Sequence, residues 1–312
     1  MTRPLVFALS LVVVFGFAQD APAEERRIIS ITSSGGTQSG NLRFGPILYA
    51  HPEPEGITAT VSTLTIYAQA AELRGPEGER VALTEARGRR SASFTEGVRV
   101  TRGRLTASGP ELLYREETGL GVLGIPAGGP EGEVAIEVAP REEGGDPVFI
   151  RARSSEFDVD TDVSTSRGEV ELTSGNQSAS AELLVYEEER DLGCLSSEGS
   201  QVTARRTDED GDALTITADE LCTLPNEDRL LARGNVTITD GDITSRGDTV
   251  FFDDAAARAL VIGNPAVSEN AADGLTTRGA VIEQRTDIDA VRVYSDPVDF
   301  DESAFELTTA AE

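Results

Sequence analysis

A block of fixed internal spacing recurs three times in this chain, and few folds can accommodate it. The first copy places Val98, Val100, Gly103, Gly109, Leu112 and Tyr114. The second has Val170, Leu172, Gly175, Ala181, Leu184 and Tyr186, and the third Val236, Ile238, Gly241, Gly247, Val250 and Phe252. In each copy a glycine follows the first valine by 5 residues, a small residue by 11 and an aromatic by 16. Two alternating apolar runs around a glycine describe two strands joined by a tight turn. Such a pair cannot bury its apolar face alone, so repeated pairs must stack. The expected product is an elongated all-β structure with one continuous apolar interior.

The rest of the chain follows the same pattern. Period-two alternation marks Val134–Val138, Phe157–Val159 and Leu214–Ile216 as half-buried strands. Weaker copies lead from Val202 to Ala218, Leu221 and Thr223, and from Val267 to Gly279, Ile282 and Gln284. Turn chemistry separates them: Gly75-Pro-Glu-Gly78, Gly128-Gly-Pro-Glu-Gly132, Gly144-Gly-Asp-Pro147 and Asp240-Gly241. Gly124, Gly234 and Gly263 recur close behind the aromatic column, where a bulge or corner would bend the sheet.

The N-terminus reads as an export signal. Arg3 precedes an apolar stretch, Leu5 to Phe17, too short to span a bilayer comfortably, and Gly16 and Ala18 form a small-x-small cleavage site. Residues 1–18 are therefore expected to be a cleaved signal peptide and the mature chain to be exported. Division near the Gly/Pro/Glu-rich stretch at 126–147 would give N-terminal β repeats over 19–140 and a second set over 141–300. Residues 301–312 read as a flexible tail. A net charge of −28 opposes nucleic-acid binding, which depends on Lys and Arg against phosphate. Cys194 and Cys222 lie one repeat apart, so a disulfide is a candidate pairing in an exported protein.

Catalysis finds little footing. The single histidine, His51, sits in the turn-rich Ala50-His-Pro-Glu-Pro-Glu-Gly56 without a nucleophile motif, and reads as a surface-loop residue. No pair stands out among the 55 acidic residues, which leaves a carbohydrate-active solenoid enzyme as a remote alternative. Asp208-Glu-Asp210-Gly-Asp212 spaces carboxylates like a calcium loop, but the sixth place is Ala213 rather than glycine and no helices flank it. No cofactor or metal is expected.

The run Ala232-Arg-Gly-Asn-Val-Thr-Ile-Thr-Asp-Gly-Asp-Ile-Thr-Ser-Arg-Gly-Asp-Thr-Val-Phe-Phe-Asp253, followed by Ala259-Leu-Val-Ile-Gly-Asn-Pro-Ala-Val267, resembles the OstA-like family (LptA, LptC and the LptD N-terminal domain). The copies at 97–126 and 168–189 are similar but lack the asparagine. The resemblance implies a periplasmic β-jelly roll, one unit or two in tandem: a folded-over stack of antiparallel strands, open along one side. It further implies a carrier of the acyl chains of lipopolysaccharide or another envelope amphiphile, joined to Lpt-type proteins or to itself through strand edges. Val98, Val100, Leu112, Tyr114, Leu184, Tyr186, Val236, Ile238, Val250 and Phe252 would then line the groove. The alternative on the same fold is a non-catalytic scaffold that binds a protein by strand addition. An open apolar slot would favour the carrier and a packed interior the scaffold.

Overall fold

The computed structural model describes residues 26–308 apart from 34, 53–55, 125–132, 208–212, 289, 295–297 and 299. The signal-peptide segment, the turn at 128–132 and the 208–212 loop lie outside these residues. Six short strands come first: β1 (Ser30–Thr32), β2 (Thr37–Gly40), β3 (Ile47–Ala50), β4 (Ile57–Val61), β5 (Leu64–Ala68) and β6 (Ala70–Arg74). A long pair, β7 (Ser91–Arg102) and β8 (Leu105–Arg115), precedes β9 (Leu120–Gly124), β10 (Val134–Val138), β11 (Val148–Ala152) and β12 (Ser154–Asp158). The second long pair, β13 (Val163–Ser174) and β14 (Gln177–Glu187), is followed by β15 (Leu192–Ser196), β16 (Val202–Thr207), β17 (Ala213–Ala218) and β18 (Glu220–Leu224). Four long strands and a short one close the series: β19 (Arg229–Asp240), β20 (Ile243–Asp253), β21 (Arg258–Asn270), β22 (Leu275–Arg285) and β23 (Ala290–Tyr294).

Each long strand bends at its middle, and the bend makes the fold. Register shifts interrupt the β7–β8, β13–β14, β19–β20, β20–β21 and β21–β22 ladders at that point. On β7, β13 and β19 the corner consists of two consecutive residues with positive φ: Glu96-Gly97, Gly168-Glu169 and Gly234-Asn235. Glycine and asparagine tolerate that conformation best, which accounts for the Gly-Asn of the third copy. Asn235 also donates its amide to Asp219 across the corner at 2.7 Å.

The folded-over strands build two facing limbs. One limb contains β1, β4, β5, the second half of β7, the first half of β8, β10, β11, the second half of β13, the first half of β14, β16, β17 and the second half of β19. The other contains β2, β3, β6, the remaining halves of these long strands, β9, β12, β15 and β18. β20 to β22 continue both limbs, and β23 ends the second. Among the described residues all pairing is antiparallel and links the 23 strands into one sheet system. It passes from β8 to β10 and from β9 to β12, so the ladder runs through on both sides of 126–147.

Every column of the repeat has a place in this geometry. Gly103, Gly175 and Gly241, all with positive φ, open the two-residue hairpins at the free tips of one limb. That is where a type II′ turn requires glycine. The small-residue column stands at the corner, because Val98 pairs with Gly109, Val170 with Ala181 and Val236 with Gly247. A Cβ on Gly247 would lie 2.5 Å from the Ile262 carbonyl oxygen. One continuous apolar cluster, from Ile29 to Ile282, fills the space between the limbs.

The tail differs from its expectation as a flexible end. Phe305 is 1% exposed and sits on the outer face of the second limb, among Leu192, Leu224, Leu231, Phe251 and Leu260. Phe300 stacks on Phe251 at 4.8 Å between centroids. Arg190 donates to the carbonyls of Ala304 and Glu306 at 2.5 and 2.6 Å, which ties the strap down. Under it Cys194 and Cys222, directly opposite on β15 and β18, form a disulfide with 4.1 Å between their Cα atoms.

Candidate functional site

All ten repeat-column residues point into the trough between the limbs and belong to the single apolar cluster. Val98, Val100, Val236 and Ile238 stand on one limb; Leu112, Tyr114, Leu184, Tyr186, Val250 and Phe252 stand on the other. The two tyrosines bury their rings and satisfy their hydroxyls at the rim, as buried tyrosines generally must. Tyr114 donates to the Arg27 carbonyl at 2.6 Å and Tyr186 to Asp191 at 2.7 Å. Burial, reinforced by the nearby carboxylates, raises both phenol pKa values, so Tyr186 remains a donor toward Asp191.

The free tips of the limbs form the mouth of the trough, and arginines clasp it. Arg102 on the first limb pairs with Glu188 on the second and donates to the Asp158 carbonyl at 2.6 Å. Arg104 reaches Asp191 at 2.5 Å, and Arg141 binds the other oxygen of the same carboxylate. Asn226 adds a bond to Asp191 at 2.7 Å. Further along, Arg206 pairs with Asp254 and lies 5.6 Å from the centroid of Phe252. Burial alone would raise the Asp191 carboxyl, but the hydrogen bonds from Arg104, Arg141 and Tyr186 outweigh it and lower its pKa. At Glu188 burial wins over the Arg102 contact, and the pKa is raised.

Between the Asp191 and Arg206 clasps the packing relaxes. Ala179 on β14 pairs directly with Ala204 on β16, so two adjacent strands lack a bulky inward side chain. The slot they leave is walled by Leu172, Ile216, Leu221, Leu230 and Phe252. About 40 Å³ of it is accessible to water, room for only a few water molecules. Of the ten sequence-derived residues, Phe252 alone lines it. A polar vestibule of about 350 Å³, walled by Arg141, Asn176, Asn226 and Asp254 among others, shares Ser174, Gln177 and Pro225 with the slot. The slot thus adjoins the vestibule at the mouth.

Sequence reasoning missed both the clasps and the slot. Parity carried a signal for two of the arginines: Arg102 continues the inward series Val98, Val100, and Arg206 continues Val202, Ala204. A charge on an apolar stripe next to a turn marks a residue that caps an interior. Their carboxylate partners lie 86 and 48 residues away, at separations that alternation does not address.

The remaining candidates fall away from the trough. His51 is 8% exposed rather than on an open loop; its ring packs against the corner glycines Gly35 and Gly36, and its Nδ1 lies 3.2 Å from the Pro52 carbonyl. Asp219, which lies C-terminal to the calcium-like run at 208–212, is the corner acceptor for Asn235. Among the described residues, the metal-capable grouping is Cys194, Glu220 and Cys222, and its sulfurs are joined to each other. No helix among these residues is long and apolar enough to cross a membrane.

No known family pattern matches the chain, and no curated protein matches it. Among solved structures it is similar to LptH of Pseudomonas aeruginosa, the LptA homologous periplasmic component of the lipopolysaccharide transport device. The likeness covers 34% of this chain and 76% of that one, at 15% identity and a TM-score of 0.32. So partial an overlap adds nothing to the assignment of the site.

Proposed function

We propose that this chain is a non-enzymatic, exported envelope component of OstA/LptA type that shields acyl chains of lipopolysaccharide or another envelope amphiphile. The supporting observation is the slot beside Phe252, where the apolar interior adjoins the polar vestibule at the mouth. Burial of apolar surface, about 25 cal/mol per Å², supplies the driving force, and the head group stays in water. A bound chain would press the limbs apart, lengthening the Arg206–Asp254 clasp before the fully packed rungs on either side yield. Other Lpt-type proteins or further copies would dock on the strand edges left unpaired among the described residues at the two ends of the stack, β1 and β2 at one, β23 and the first half of β22 at the other.

A second reading rests on the rest of the interior. Away from the slot the limbs are packed shut, with Phe94, Tyr114 and Phe157 fully buried, as a scaffold that binds by strand addition would require. A photo-crosslinking residue at Phe252, with a second protein carrying it at Tyr114, separates the two in chain purified from its native envelope. The carrier should give an acyl-lipid adduct at 252 and none at 114. Protein adducts at the β2 and β23 edges with a lipid-free position 252 would leave only the scaffold. Phe252→Asp, if folded, should abolish lipid crosslinking from a probe at Leu230.

A further inference from the structure

We infer that the slot takes a single acyl chain carrying a cationic head group, rather than a polyanionic lipid with several chains. This rests on the carrier reading above and narrows it. The gap is two strands wide, since Ala179 and Ala204 are flanked by Leu172 on β13 and Ile216 on β17. Adjacent strands lie about 4.8 Å apart, so once the limbs are pressed apart the space between the flanking side chains suits one polymethylene chain and not a bundle.

Charge selects the head group. A chain seated against Phe252 and Leu230 leaves its polar end in the vestibule, where Glu142, Asp146 and Asp228 are found. None of these three carboxylates has an ion pair among the described residues, whereas both arginines that face the opening are committed, Arg141 to Asp191 and Arg206 to Asp254. The third arginine at the rim, Arg205, follows inward Ala204, is exposed, and also lines the edge of the slot without an ion pair among the described residues. An anionic head would meet three uncompensated negative charges against a single unpaired arginine, Arg205, among the described residues; a cationic head would be attracted on balance. The net charge of −28 adds a long-range field of the same sign.

The test uses four probes below their aggregation thresholds: dodecyltrimethylammonium, dodecyl maltoside, dodecyl sulfate and a hexa-acylated lipid A. Titration calorimetry on the full-length mature protein should show one saturable site and the affinity order cationic, neutral, anionic. About tenfold should separate the first from the third at low ionic strength, and salt should shrink that gap. Lipid A should not compete. The exposed triple variant Glu142→Gln, Asp146→Asn, Asp228→Asn should bring the two charged probes to within about threefold of each other. Tighter binding of dodecyl sulfate, or competition by lipid A, overturns this inference while leaving the carrier reading in place. Failure of every probe, or undiminished binding in an Ala179→Leu, Ala204→Leu variant shown folded by circular dichroism, overturns the carrier reading itself.

Discussion

The first and third copies of the repeat share a pattern but not an interior. At the first, Tyr114 is sealed on all sides and its hydroxyl is fixed to the Arg27 carbonyl. At the third, the aromatic is Phe252, 5% exposed, without a hydroxyl, facing the gap left by two paired alanines and roofed by Arg206. One copy is built for cohesion and the other tolerates vacancy. The lesson is that repeat columns specify a trough, while a pair of small residues on neighbouring strands decides where it can admit anything.

That contrast can be broken or sharpened by substitution. The largest effect belongs to Tyr114→Ala, expected to cost about 3–5 kcal/mol in denaturant unfolding because its site is enclosed. Asp191→Asn should cost about 3 kcal/mol, since it leaves Arg104 and Arg141 facing a neutral group. It should also change acid behaviour. Asp191 has a depressed pKa when folded, so its stabilisation is complete above its unfolded value, about 3.9, and is lost as pH falls through the folded value. Glu188, with a raised pKa, acts in the opposite sense and regains stability on acidification. Unfolding followed below about pH 4 should therefore be less pH-dependent in Asp191→Asn than in the parent. Phe252→Ala should cost only about 2 kcal/mol, less than Tyr114→Ala, and should enlarge the slot, raising dodecyl-probe uptake. The smallest effect is that of Ala204→Leu, within about 1 kcal/mol in a thermal melt, because it fills existing space. Equal losses at Tyr114 and Phe252 would erase the distinction.

Much of the framework was legible in the chain. Turn glycines, the small corner column and the inward alternation each follow from a local backbone requirement that one strand pair expresses by itself. The slot was not legible, because Ala179 and Ala204 become neighbours only through the β14–β16 register. The strap was hidden in an acidic tail whose composition reads as unstructured. Its landing site had left a trace in Leu230-Leu231, Phe251-Phe252 and Leu260-Val261, where consecutive apolar residues break the two-residue period. One member of each pair faces the trough, and the other meets the tail.

That tail has a bearing on sulfur chemistry. Cys194 and Cys222 are 6% and 1% exposed beneath Phe305, whose carbonyl oxygen lies 3.9 Å from the Cys194 sulfur. A reductant or thiol-disulfide exchange enzyme would find little approach until the segment around Phe305 lifted away. Whatever tugs on the C-terminus, whether a protease or a fused protein, would thereby govern access to the only covalent cross-link in the chain.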